Sequence, residues 1–134
     1  MKFAHFSHVW NKPGMTAAER YGQLWRELAL ADDCGFDFGF CVEHHFNPNE
    51  SWMPSPSIYC AAAAAHTTRL RIGTMGFVAP LYDPIRIAED AAVLDYIATV
   101  AWNSAWFQAL CRISSLLIGL IFKIAAPSLT KPCS

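Results

Sequence analysis

The sequence predicts an α/β fold made of successive βα units around a parallel sheet. Three observations predict it: apolar stretches begin near residues 2, 36 and 70, a segment of helical character follows each, and every such segment opens on a helix-start signal. Strands recurring at that interval with helices between them call for right-handed crossovers, whereas a meander needs only tight turns. A (β/α)8 barrel and a doubly wound sheet both meet this description.

The first stretch, KFAHFSHVW, is apolar and aromatic and ends at the breaker NKPG. Thr16 and Glu19 then form the T-x-x-E capping box, in which each side chain satisfies a free backbone N–H at the other's position. Tyr21, Leu24, Trp25, Leu28 and Ala31 follow at helical spacing, and Gly35 supplies a left-handed stop. FDFGFCVEHHF alternates and then becomes continuous, as a strand covered on both faces does. Ser55 is an N-cap and Pro56 a first helical residue ahead of an alanine-rich helix ending near His66. RLRIGTMGFVAP is the third strand, and Asp83 with Pro84 starts the helix IRIAEDAAVLD, where Arg86 is placed to pair with Glu89.

The chain has 134 residues with 54% apolar content, enough for one core, and a net charge of −1, which offers nothing to nucleic acid or an anionic membrane. Its five cysteines show neither a C-x-x-C pair nor zinc-ligand spacing and read as reduced thiols. The N-terminus lacks the long apolar run and cleavage site of a signal peptide, so a cytoplasmic protein is expected.

Glu43, His44 and His45 bring a carboxylate and two imidazoles to a strand end, where a general base is well placed; hydrogen bonds tying a loop to the next helix are the alternative use. Adjacent side chains on a strand point to opposite faces, so at most one of the two histidines faces the same site, and no metal is expected. His5 and His8 read as satisfied core histidines. Asp37–Gly39 spells DFG inside a strand, without the other kinase motifs, and no glycine-rich nucleotide motif follows the first strand.

MKFAHFSHVW, CVEHHF and GTMGFVAPLYDPIRIAEDAAVLD, in that order from Met1 to Asp95, resemble the bacterial-luciferase-like flavin-dependent monooxygenases. The resemblance implies a (β/α)8 TIM barrel, of which residues 1–95 supply the first three βα units. It implies reduced FMN supplied by a flavin reductase, or a deazaflavin in one branch, with dioxygen and a small organic substrate, in a family that is often dimeric. Carried over residue by residue, it makes His44 the catalytic base and His45 its cofactor-binding neighbour. Met75 and Gly76 fall on the third-strand bulge against the flavin, where luciferase has a cis peptide; such a non-proline bond costs about 3–4 kcal/mol, and glycine eases it.

After Asp95 the patterning lapses. The family continues with a strand near NGRLELGLVSG, whereas this chain reads YIATVAWNSAWFQAL. Read from the third base of each codon, Trp102–Asn103 must encode Glu and Trp106–Phe107 must encode Val, four positions apart as in ELGLV. The intervening codons permit the rest. Residues 96–134 are therefore expected to be an out-of-frame tail that forms no domain, leaving an inactive partial barrel. The alternative is a small non-enzymatic protein attached to a membrane or partner by this apolar tail. Arg112 and Lys123 interrupt its most apolar segment, ISSLLIGLIFKIAAP, and the uncharged run between them is ten residues, against about 20 needed to span, so membrane association is not expected.

Overall fold

The computed structural model describes residues 1–98. Their order is strand β1 (Ala4–Ser7), helix α1 (Ala17–Asp33), β2 (Phe38–Cys41), α2 (Pro56–His66), β3 (Arg71–Thr74), a 3-10 turn at Ala79–Leu81, and α3 (Pro84–Ile97). The strands form a three-stranded parallel sheet in the order β1-β2-β3, with Ser7, Cys41 and Thr74 in register at their C-terminal ends. This is the α/β architecture expected of three βα units. The last helix runs two residues beyond Asp95, and the expected out-of-frame tail, with its apolar run, lies otherwise outside the described residues.

Local chemistry sets the helix ends. Thr16 Oγ1 accepts from the Glu19 N–H while the Glu19 carboxylate accepts from the Thr16 N–H at 2.8 Å, closing the capping box. At the other end Gly35 adopts φ 80°, and the Phe36 N–H to Ala31 carbonyl and Gly35 N–H to Asp32 carbonyl bonds complete a Schellman motif. Asp83 caps α3 by accepting from the Ile85 N–H at 2.8 Å. Ser55 is a correction: it holds the N-cap position of α2 but its side chain makes no capping bond, so Pro56 marks that start by its fixed φ. Arg86 and Glu89 pair at 3.3 Å, as their spacing requires.

Helices cover one face of the sheet. Gly39 lies at the centre of that face, where an added Cβ would stand 3.0 Å from the methyls of both Leu28 and Leu70. Its missing side chain lets α1 and the third strand close over β2. Leu24, Leu28, Tyr59, Cys60, Ala63 and Ile72 form the body of the core there. The opposite face carries Phe6, Phe38 and Phe40, with Phe38 and Phe40 stacked at 5.6 Å and Phe6 half exposed. Among the described residues no helix is long and apolar enough to cross a membrane.

A buried carboxylate ties the second unit to the first. Asp32 accepts from the Thr68 N–H at 2.6 Å, the Thr68 hydroxyl at 3.0 Å and the Arg69 N–H at 3.1 Å. Burial alone raises a carboxyl's pKa, but these donors outweigh it and hold Asp32 below its ordinary value. A depressed folded-state pKa stabilises the protein above the unfolded value near 3.9, and that contribution is lost as pH falls through the folded value. Asp32→Asn is therefore expected to lower stability at pH 7 by about 1.5–3 kcal/mol, the range for hydrogen bonds to a charged group. Denaturant titrations should also show the variant less sensitive than the parent to acidification below about pH 4.

Candidate functional site

The strands end on one rim, and alternation of side chains decides what each presents there. Phe6 and Phe40 lie on the face without helices, and His8 and His44 continue that face beyond the strand ends. The His8 ring meets Phe6 edge-on at 5.3 Å and stacks on His44 at 5.1 Å. Trp10 stacks on the other side of His8 at 4.5 Å. His44 Nδ1 is 3.7 Å from the Glu50 carboxylate.

Glu43 and His45 take the opposite direction. The Glu43 side chain is only 2% exposed, and its carboxylate meets His45 Nε2 at 2.6 Å, the Tyr82 hydroxyl at 2.8 Å and the Val78 N–H at 2.7 Å. It clamps the end of β2 to the segment between β3 and α3. Burial, followed by the hydrogen bond to Glu43, pushes the Tyr82 phenol well above its ordinary pKa, so it remains a neutral donor. Alternation divides this tripeptide: His44 faces the rim, and Glu43 and His45 serve as ties.

The loop carrying Glu50 is pinned to β1. The His44 N–H donates to the Met53 carbonyl at 2.9 Å, the Trp52 N–H to the Val9 carbonyl at 3.2 Å, and the Ser51 hydroxyl to the His8 carbonyl. Val9 is fully buried with φ 53°, a left-handed conformation that is costly for a β-branched residue. Ser7 Oγ supports it by accepting from the Val9 N–H at 3.0 Å and from Arg20 at 3.2 Å. Arg20, itself buried, is neutralised by two bonds to Glu27. A charged network on the helix side thus fixes the backbone turn that presents His8 and Trp10.

The third strand ends at Thr74, whose hydroxyl donates to the Gly76 carbonyl at 2.8 Å and accepts from the Gly76 N–H at 3.2 Å. The Met75 N–H donates to the Cys41 carbonyl at 2.7 Å, which keeps this segment beside β2. Met75 is 40% exposed, and a Cβ placed on Gly76 would meet nothing within 4 Å. Among the described residues no peptide bond is cis; Gly76 instead turns the chain with φ 158°, a value that side-chain-bearing residues rarely adopt.

Of the sequence-predicted residues, His44 stands on the rim, Met75 and Gly76 follow the neighbouring strand end, and His45 turns to Glu43. His5 is a partly buried residue on the helix side, 3.6 Å from Glu27, and burial and the Arg20 charge lower its pKa despite that carboxylate. His5 and His8 both correct the expectation of satisfied core histidines: the Nδ1 of each is buried with no hydrogen-bond partner. Glu50 was not foreseen. The spacing Asn47-x-x-Glu50 carried a signal, since the Glu50 N–H bonds to the Asn47 carbonyl and Asn47 Nδ2 to Glu50 Oε2.

Residues 1–99 match the family model described as luciferase-like monooxygenase. The chain is 30% identical over 98 residues to the alkanal monooxygenase alpha chain of Photorhabdus laumondii, covering 73% of this chain and 27% of that one. The beta chain from Aliivibrio fischeri is likewise 30% identical, over 100 residues. Among solved structures, monooxygenase RslO1 from Streptomyces bottropensis superimposes with a TM-score of 0.69 at 30% identity, covering 76% of this chain and 32% of that one. The oxygenating constituent of 3,6-diketocamphane monooxygenase from Pseudomonas putida, solved with FMN, gives a TM-score of 0.66 at 25% identity, covering 72% of this chain and 26% of that one. The chain thus spans about a quarter to a third of the length of these relatives.

The Glu43 clamp has a direct test. Glu43→Ala strands the Val78 N–H and the Tyr82 hydroxyl, and is expected to cost about 1.5–3 kcal/mol. In hydrogen exchange the Val78 amide should lose protection first, ahead of the amides of α1.

Proposed function

We propose, since this chain belongs to the family of luciferase-like monooxygenases, that its strand-end rim is the first part of a flavin-dependent oxygenation site. The observation that carries the reading is the alternation that sends His44 to the rim beside His8 while Met75 and Gly76 end the adjoining strand. A flat aromatic cofactor fits this surface. The half-exposed Met75 and the open space beside Gly76 give a ring room to lie against β3, and Trp10 and Phe6 extend the apolar surface.

In this reading Met75 and Gly76 hold the flavin face, and His44 is the base. The reduction of dioxygen is the chemistry that reduced FMN supplies when bound. Glu50, 3.7 Å from His44 Nδ1, helps to orient the imidazole; positioned acid–base groups of this kind contribute about 10²–10⁴ in rate. His45 supports the site indirectly, through Glu43 and the segment carrying Val78 and Tyr82. The FMN-bound neighbour favours FMN over a deazaflavin. A small organic substrate, a reductase supplying the flavin, and pairing with a second barrel are the partners proposed with it. The shift of reading frame near codon 96 remains a separate proposal, tested by sequencing the coding DNA.

Anaerobic titration of the full chain with reduced FMN tests the site. Saturable binding is expected, weakened several-fold by a Met75→Ala substitution and nearly unchanged by His44→Ala. Where the rest of the barrel is present, His44→Ala should lower oxygenation by about 10²–10⁴, whereas the three βα units alone are expected to turn nothing over. No saturable binding would reject a flavin site in this chain.

A further inference from the structure

We propose that His8, His44 and Glu50 form a binding site for a borderline divalent transition-metal ion, with Zn²⁺ the natural occupant. One ligand atom from each of these residues lies within 4.8 Å of the others, and among the described residues no other group of histidine, cysteine and acidic side chains meets that condition. Four-coordinate zinc holds N and O ligands at about 2.0–2.2 Å, which places them about 3.4 Å apart around a tetrahedron. The His44 Nδ1 to Glu50 Oε1 separation of 3.7 Å is already close to that value. Closing the remainder requires the stacked His8 and His44 rings to turn until their in-plane lone pairs converge on the ion.

Two further features suit a metal. His8 Nδ1 is buried without a hydrogen-bond partner, so the ring has spare coordinating capacity that the protein leaves unused. A carboxylate ligand works best when its outer oxygen is held, and Asn47 Nδ2 donates to Glu50 Oε2 at 3.1 Å while Oε1 faces His44. Two imidazoles and one carboxylate are a ligand set that zinc accepts, with a fourth position left for water. The His44 side chain is 30% exposed and that of Glu50 39%, so an ion has a route in. Residue spacing does not signal the site, because the adjacent His44 and His45 point apart while His8 arrives from the end of another strand. A bound ion would occupy the lone pair that His44 uses as a base, so metal occupancy and proton transfer exclude one another.

Titration of the full chain with Co²⁺, displaced afterwards by Zn²⁺, tests this without reference to flavin or turnover. The expected result is a saturable visible d–d band of one ion per chain, abolished by stoichiometric Zn²⁺. His8→Gln and Glu50→Gln should each weaken binding about 100-fold or more, and Asn47→Ala about 10-fold. His66→Gln, on a distant helix end, should leave the affinity unchanged. Glu50 is exposed enough for its substitution to keep the fold, which circular dichroism checks, so it decides the matter should His8→Gln fail to fold. Absence of a saturable band, or equal affinity in the parent and Glu50→Gln, overturns the proposal.

Discussion

The period-two alternation of side chains along a strand is the constraint from which the rest of this structure follows. Three short parallel strands end in register, and each carries its sequence a few residues beyond the ladder. On β2 this places Phe40 and His44 on one side and Cys41, Glu43 and His45 on the other. The first side becomes a rim of rings and the second becomes structure. Cys41 shows the cost of the buried side: burial pushes its thiol up to about 12, so it is an inert packing residue although it lies only three positions before His44.

The helix side in turn determines what the rim can be. Arg20 and Ser7, both buried, and the partly exposed Glu27 form a polar network beneath Val9, and the strained turn at Val9 persists because that network and the Trp52 N–H over-determine it. Glu43 does the same for the segment after β3, using a backbone N–H and a phenol that burial keeps protonated. In both places a charged group that could have been read as reactive is consumed in holding backbone. His44 is not used in this way: its neighbours are other rings and a partly exposed carboxylate.

Much of this was legible in the residues. The capping box at Thr16, the left-handed stop at Gly35 and the Asp83–Pro84 start are local devices, and local devices can be read without tertiary knowledge. The opposition of His44 and His45 follows from strand geometry alone. What could not be read depends on distant partners. His8 meets His44 and Glu50, 36 and 42 positions away, only in the fold. Glu50 reaches His44 only because Phe46 turns with φ 57° and the loop is bonded back to Val9 and His8. Ser55 looked like a cap, yet a cap requires a side-chain orientation that composition does not dictate. The choice between a barrel and a doubly wound sheet was likewise invisible in three sequential strands, and the family membership decides it.

The clamp at Asp32 has a consequence for how the chain is made. Its acceptors belong to the end of the first helix, but its donors, Thr68 and Arg69, lie 36 and 37 positions later. Synthesis at about 5–20 residues per second leaves that carboxylate waiting roughly 2–7 s for them. During that interval the nascent first unit has an ionised group at its base that water alone satisfies, so the tie between the first helix and the segment ahead of the third strand closes only once Thr68 and Arg69 have been made.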